Sequence, residues 1–372
     1  MLTDALVVTE AGAPFDLQSI NVDDNIRDHE ALIEMKATGV CHTDLNFRRE
    51  QSMPGLFPAV FGHEGAGVVV KAGSKVQASP GDHVLLTYTC CGDCKYCKRG
   101  ETSFCYDWEH DNFGIGRPDG SKSYSTTAGK EVTSHFFGQS SMAKYVVVSG
   151  RSMIKIDQSL PLNLLAPLGC GFMTGAGAML NVVKPTPDTS VLVVGAGAVG
   201  LAAIMALGLL DKPPKQVVAV DVVPERLELA KKYGATHIIN SKESPDLKKA
   251  IYAITDGKGV DGAIDTTGRP QIVNTLLDAS GKKGLVVSVG VGQLTANIES
   301  NIFNTVNSGR SYVGCCMGNC FPQEFIPRLL TGWREGKFPF TDLIKQYPAK
   351  DAETAATEVL KGDVVKAVVV WD

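Results

Sequence analysis

Val191-Leu192-Val193-Val194-Gly195-Ala196-Gly197-Ala198-Val199-Gly200 decides the fold of half of this chain. Four aliphatic residues read as a buried strand, and a G-x-G-x-x-G turn follows at once. Leu201 to Leu210 is compatible with a helix, and Val217-Val218-Ala219-Val220 is a second apolar strand ending in Asp221. The hexapeptide alone is a weak signal. Strand, turn, helix, strand and acid at this spacing describe a dinucleotide-binding unit. Gly195, Gly197 and Gly200, with Val199 between them, let backbone approach a pyrophosphate at a helix N-terminus, where unpaired N–H groups favour anions. Asp221 would accept the adenosine ribose hydroxyls and repel a 2′-phosphate. Val222-Val223 supplies no adjacent cation, so NAD is expected over NADP, with Arg226 the nearby charge that works against this choice.

The alternation continues outward from this stretch. Pro224 suits the first turn of a helix that runs to Tyr233 and is ended by Gly234. Strands are expected at Val260 to Asp265 and Leu285 to Gly290, with helical segments between. Such repetition implies a parallel sheet covered on both faces. This second domain starts near Gly175. Before it, residues 1 to about 160 look β-rich: Ala5-Leu6-Val7-Val8, Ala31 to Lys36, Gly67 to Val70 and His83 to Leu86 are short apolar runs bounded by turn residues. The closing run Ala367-Val368-Val369-Val370-Trp371 is expected to rejoin that first domain. At 372 residues, two domains are the default.

Composition narrows the function classes. A net charge of -4 argues against nucleic acid as the main partner, since phosphate binding needs concentrated Lys and Arg. The longest apolar run is broken by glycines and falls short of a membrane span. Met1 to Val8 lacks a basic segment followed by a long apolar one, so no export signal is read and a cytoplasmic location is expected. Ten cysteines in such a chain favour metal binding or catalysis over disulfides.

The cysteines fall into informative groups. Cys91-Gly92-Asp93-Cys94-Lys95-Tyr96-Cys97 followed by Cys105 can close four thiolates around one tetrahedral zinc with no open position, the pattern of a structural site. Cys41 in Cys41-His42-Thr43-Asp44, His63 in Phe61-Gly62-His63-Glu64-Gly65, and Cys170 in Leu168-Gly169-Cys170-Gly171 form a second set. Two thiolates and an imidazole leave one tetrahedral position free, as a catalytic zinc requires. Asp44 is a candidate to accept the other ring N–H of the ligand His63. Thr43 offers a hydroxyl that could take a proton from an alcohol, although Thr43 and Asp44 also suit a plain helix cap. Cys90 is surplus to four-coordination, and Cys315, Cys316 and Cys320 read as buried fillers. Residues 107 to 134, polar and rich in glycine, serine and threonine, read as a long surface excursion.

With Gly62-His63-Glu64, the four-cysteine lobe and Gly195 to Gly200 in this order and spacing, the chain resembles the zinc-dependent alcohol dehydrogenases of the medium-chain dehydrogenase/reductase superfamily over essentially its whole length. The resemblance implies an α/β plus β architecture. A GroES-like β-rich catalytic domain would span 1–171, with 312–372 returning to it, and a Rossmann doubly wound NAD-binding domain would span 172–311. It implies two zinc ions per chain, one on Cys41, His63 and Cys170 with Glu64 as a transient ligand, the other on Cys91, Cys94, Cys97 and Cys105. It also implies NAD as cofactor, Thr43 in the proton path, Thr174 lining the nicotinamide, Val291 as a further cofactor-binding residue, and His42 near the pyrophosphate. One departure stands out: family members often carry a histidine three residues after the Thr43 position, and here Asn46 stands there, an amide that does not titrate near neutral pH. That absence, with Pro58 to Gly65, resembles the aryl- or benzyl-alcohol branch and implies aromatic or allylic primary alcohols. An S-(hydroxymethyl)glutathione dehydrogenase is the alternative, which would need cations such as Arg48, Arg49 or Arg117 at the pocket mouth. A non-catalytic zinc- or nucleotide-binding relative is a further one. A homodimer or homotetramer is the assembly that the resemblance suggests.

Overall fold

Short aliphatic runs separated by helices make a parallel sheet, and those separated by turns make antiparallel ones; this chain builds both. The structure is a computed structural model that describes residues 1–293 and 295–371. The chain divides into two units, one of Met1–Cys170 with Phe321–Pro327 and Thr341–Asp372, the other of Gly171–Cys320 with Arg328–Phe340.

The second unit holds a six-stranded sheet in the order His237–Asn240, Gln216–Asp221, Ser190–Val194, Val260–Asp265, Ser280–Ser288, Ser311–Gly314. Every neighbouring pair in it is parallel. Its strands read as continuous Val/Ile/Leu runs because helices bury them. Leu192, Val218, Val220, Ala263 and Val286 meet Leu247, Ile251, Val273 and Leu276 of helices Leu247–Ile254 and Pro270–Ala279 in one buried cluster. Ser190–Val194 is central, and the chain leaves it to opposite sides, which opens a crevice at its carboxyl end. The expected return to the first domain at 312 falls inside strand Ser311–Gly314, which extends this parallel sheet.

The first unit is antiparallel in the main. A seven-stranded sheet runs Met153–Ile156, His83–Leu86, Gly65–Ala72, Glu30–Gly39, Lys366–Val370, Ile344–Pro348, and Tyr145–Ser149 also pairs with Glu30–Gly39. A five-stranded sheet runs Ala59–Val60, Leu2–Val8, Asp16–Val22, Tyr124–Thr126, Glu131–Val132. The C-terminal strand joins Glu30–Gly39 with Val368 opposite Gly39 and Val370 opposite Ala37. Thr38 lies opposite Gly65 and Ala66 opposite Leu85. This register brings the ends of three sequence-distant strands to one edge.

The polar stretch 107 to 134 is not the bare excursion its composition suggests. It holds helix Trp108–Phe113 and the paired strands Tyr124–Thr126 and Glu131–Val132. Trp108, Tyr124 and Val132 are buried anchors scattered among glycines and serines, too sparse to show a period. The segment is tied down by charge. Arg117, buried, donates to Glu30 through Nε at 2.7 Å and to Asp23 through Nη1 at 2.8 Å. Burial pushes the Glu30 carboxyl up, yet His135, 3.6 Å away, and the hydrogen bonds from Arg117 outweigh it and hold the group at about 2.

Removing the guanidinium strands Glu30. Arg117→Met should destabilise the first unit by about 3 kcal/mol at neutral pH. Because the Glu30 value is depressed in the folded state, this stabilisation is present above the ordinary carboxylate value of 4.5 and is lost as pH falls toward about 2. Urea midpoints of wild type and variant should therefore converge on acidification; a constant gap would contradict the pairing.

Candidate metal centres and dinucleotide site

The strand register assembles the first site. Cys41 follows strand Glu30–Gly39 by two residues, and His63-Glu64 immediately precedes strand Gly65–Ala72. The Gly39 N–H donates to the Glu64 carbonyl at 2.9 Å. Gly169 crosses the end of His83–Leu86 so closely that a Cβ there would collide with the Leu86 carbonyl. Thus Cys41, His63, Glu64 and Cys170 converge, with one donor atom from each lying within 4.8 Å of the others. Thiolates about 2.3 Å from a tetrahedral zinc lie about 3.7 Å apart, so the set has the size of a zinc site.

Asp44 holds two of these donors. Helix His42–Phe47 starts at Cys41, and the buried Asp44 carboxylate accepts the Cys41 N–H at 3.0 Å in a capping box. Its other oxygen accepts the Gly62 N–H at 3.0 Å and faces His63 Nδ1 at 2.9 Å. Asp44 thereby holds a ring proton on Nδ1 and leaves Nε2 as the atom that would ligate a metal. Nε2 is buried and has no hydrogen-bond partner among the described residues, an orphaned polar atom of the kind a metal satisfies.

Electrostatics agree with that fit. A hydrogen bond from the Cys170 thiol, opposed by burial and aided by the His63 and Lys366 charges, holds Cys41 well below the ordinary thiol range. The same contact, with burial, pushes Cys170 up. Metal binding to such a pair releases the thiol protons. Burial lowers His63, but Asp44 and Cys41 raise it further. Lys366, at the start of the C-terminal strand and buried, is 2.7 Å from Glu64 Oε1 and 2.5 Å from Oε2. Lys366 escaped sequence reading because a lysine opening an apolar run looks like a solvated strand end; only the pairing with Glu30–Gly39 reveals where it points.

The Sγ atoms of Cys91, Cys94, Cys97 and Cys105 form a second cluster within 4.8 Å. Cys105 Sγ also accepts N–H bonds from Cys91 at 3.3 Å and Asp107 at 3.4 Å. Four sulfurs fill a tetrahedral zinc completely.

Aromatic rings surround His63. Phe137 stacks on the imidazole at 4.5 Å between centroids, and Phe136 meets it edge-on at 5.8 Å. Phe113 lies 5.3 Å from Phe137 and stacks on Phe47 at 5.1 Å. Phe47, Phe57 and Phe113 are half-buried, so this aromatic wall has an open side. The sequence shows the phenylalanines but not their meeting, since Phe137 reaches His63 from a left-handed backbone position at φ 53°. Thr43 Oγ1 is 3.8 Å from Cys41 Sγ, while His42 and Asn46 are exposed on the same helix.

In the second unit, Gly195 (φ 92°) turns the chain out of its strand, and helix Ala198–Met205 begins at Gly197 without a side-chain cap. A Cβ at Gly197 would meet nothing within 4 Å, so the uncapped N–H groups look onto open space fit for a phosphate. Val199 is half-buried in the first turn of that helix. Asp221 sits beside this turn and accepts N–H bonds from Ala196 at 2.6 Å, Val222 at 2.7 Å and Val223 at 2.9 Å. Arg226 is buried; burial lowers it and the Asp221 charge partly restores it. Thr174 is buried on helix Gly171–Gly177 with Oγ1 3.8 Å from Met317 Sδ, whereas Val291 is 86% exposed. Cys320 is more than a filler: its thiol lies 3.3 Å from the Gly318 carbonyl and accepts from Asn181 at 3.4 Å. The chemistry of both units suits zinc and NAD.

Residues 27–158 match the family model of the alcohol dehydrogenase GroES-like domain, and residues 198–331 match that of the zinc-binding dehydrogenases. The chain is 36% identical to the geraniol dehydrogenase of Castellaniella defragrans, over 99% of this chain and 97% of that protein. It is 32% identical to the S-(hydroxymethyl)glutathione dehydrogenase of Saccharomyces cerevisiae, over 99% and 96%. The crystal structure of benzyl alcohol dehydrogenase from Acinetobacter calcoaceticus superposes with a TM-score of 0.94 at 38% identity, over all of both chains. The chain belongs to the zinc-dependent alcohol dehydrogenases of the medium-chain dehydrogenase/reductase superfamily.

Proposed function

We propose that this protein transfers a hydride between an aromatic or allylic primary alcohol and NAD, producing the aldehyde, NADH and a proton. The observation that carries the reading is the aromatic wall, Phe136 and Phe137 on His63 with Phe47 and Phe113 beyond, beside a Cys–His–Cys donor set. Aromatic faces pair well with rings and planar π-systems. Benzyl and geranyl alcohols are what the names of two relatives describe.

Cys41, His63 and Cys170 would hold the catalytic zinc, Cys91, Cys94, Cys97 and Cys105 the structural one, and Gly195 to Gly200 with Asp221 the NAD. When bound, zinc supplies a Lewis acid and NAD a hydride acceptor. Asp44 keeps His63 in the ligating tautomer. The Thr43 hydroxyl accepts the substrate proton and passes it toward solvent. Exposed Asn46 does not titrate, so His42, exposed on the same turn, is the titratable group next in line. Lys366 offsets the charge that Glu64 adds to two thiolates.

The glutathione-adduct alternative needs free cations. Arg48 is bound to Glu353 at 2.6 Å and Arg117 is buried against Glu30, which leaves Arg49 of the three. No disulfide joins any of the ten cysteines among the described residues, which suits a reducing cytoplasmic setting. For assembly, edge strand Ser311–Gly314 follows helix Ile302–Ser308, which carries Ile302, Phe303 and Val306, each 74% exposed or more. An edge strand that pairs antiparallel with its own copy closes a twofold dimer and covers such a patch.

Cys41→Ser or His63→Ala should lower turnover of benzyl alcohol by more than about a thousandfold while NAD still binds; parallel loss of NAD affinity would contradict separate sites. Asp221→Ser should move the kcat/KM ratio toward NADP by at least about tenfold, and an unmoved ratio would free Asp221 of that role. Phe303→Asp with Val306→Asp should convert the oligomer to a monomer in sedimentation equilibrium. A wild-type monomer would overturn the dimer reading.

A further inference from the structure

His63 and Cys170 are 107 residues apart in number and lie on separate segments, yet a single buried polar path joins them. Gln139 is completely buried. Its amide nitrogen donates to the His63 carbonyl at 3.0 Å and to the Thr87 carbonyl at 2.9 Å. Its amide oxygen accepts the Gly65 N–H at 3.2 Å. Thr87, also completely buried, donates its hydroxyl to the Gly169 carbonyl at 2.6 Å, one residue before Cys170. The path therefore runs His63, Gln139, Thr87, Gly169, Cys170. Both N–H groups of the amide are used, and its oxygen has a partner. A carboxylate could not donate to both carbonyls, and an apolar side chain would leave two buried carbonyls and one N–H unmet.

The backbone around Gln139 is bent to deliver that amide. His135, Phe137, Gly138 and Ser140 have φ of 64°, 53°, 68° and 51°, a region that L side chains rarely adopt. The bend is pinned to the run leading into His63. Ser140 Oγ donates to the Val60 carbonyl at 2.7 Å, and the N–H groups of Ser141 and Met142 reach the Gly62 and Phe61 carbonyls at 3.0 Å. Strain of this kind persists only where the surroundings over-determine it, and it gathers at functional sites. The same bend sets Phe137 against the His63 ring.

We propose that Gln139 is a positioning residue of the Cys41–His63–Cys170 centre: acting through Thr87, it fixes the separation of His63 and Cys170 and so sets how firmly zinc is held there. The proposal rests on the reading of those three residues as a zinc site. Gln139 touches neither substrate nor metal in this role.

The test follows zinc release from wild type, Gln139→Leu, Thr87→Val and the double variant, using a chelating dye, with Cys41→Ser to assign the release phase of this centre. Cobalt(II) substitution adds the visible ligand-field and thiolate charge-transfer bands, which report donor geometry independently of turnover. Gln139→Leu should speed release from this centre by about tenfold, the lower end for groups supporting metal ligands. It should also shift the cobalt bands and leave release from the four-cysteine site unchanged. Thr87→Val should do the same, and the double variant should add little to the larger single effect, because both cut one path. Unchanged release and bands in either folded single variant overturn the proposal, and so does equal acceleration at both zinc sites, which would mark general loosening. If Gln139→Leu does not fold, Thr87→Val decides by the same criteria. A Cys41→Ser protein that keeps both release phases instead overturns the zinc-site reading, whatever Gln139 does.

Discussion

The first unit depends on the three N–H contacts of one buried carboxylate. Asp44 caps the helix that begins at Cys41, ties that helix to the Gly62 turn, and orients the His63 ring. Local structure and chemistry are the same bonds here. The short helix cannot start elsewhere without releasing the Cys41 N–H, and His63 cannot change tautomer without losing a charge-assisted partner. Leaving even one of these donors unmet would cost about 1–3 kcal/mol, so the donor geometry is inherited from folding rather than assembled by the metal.

Charge is the second constraint. Two thiols and a carboxyl gathered within a few ångströms would repel one another once ionised. Burial pushes Glu64 up, and the Lys366 ammonium offsets only part of that rise. Burial in turn lowers Lys366, and the Glu64 and Cys41 charges raise it again. The cation arrives by strand pairing: the Ala367 carbonyl accepts the Val40 N–H at 3.0 Å, which sets Lys366 beside the thiolates. The closing strand of the chain is thus part of the electrostatics of a site begun near residue 40.

How much was readable beforehand follows from sequence separation. The parallel sheet was legible because strand, glycine turn, helix and acid lie within about thirty residues and each signal is local. The four-cysteine lobe was legible for the same reason, and so was Asp44, three residues from Cys41. Lys366 was not: its contact with Glu64 spans 302 residues, and no local pattern marks it. Gln139 was hidden because a buried amide in a strained bend has no period and no motif. The stretch 107 to 134 misled because its anchors, Trp108, Arg117 and Tyr124, are few among flexible residues, and ion pairing rather than an apolar stripe holds it. Phe136 and Phe137 were visible as residues, but their meeting with His63 needs the left-handed backbone at 135 to 140.

Zinc-edge X-ray absorption on the purified wild-type protein would measure the donor set itself. One centre of four sulfurs and one of two sulfurs, an imidazole and a fourth light atom average to about three sulfur and one nitrogen or oxygen neighbours per zinc, with sulfur near 2.3 Å. Two zinc ions per chain with that shell, and the outer scattering of an imidazole ring, are the expected result. A single zinc per chain with four sulfurs alone would contradict it, leaving the Cys41, His63 and Cys170 cluster without its metal.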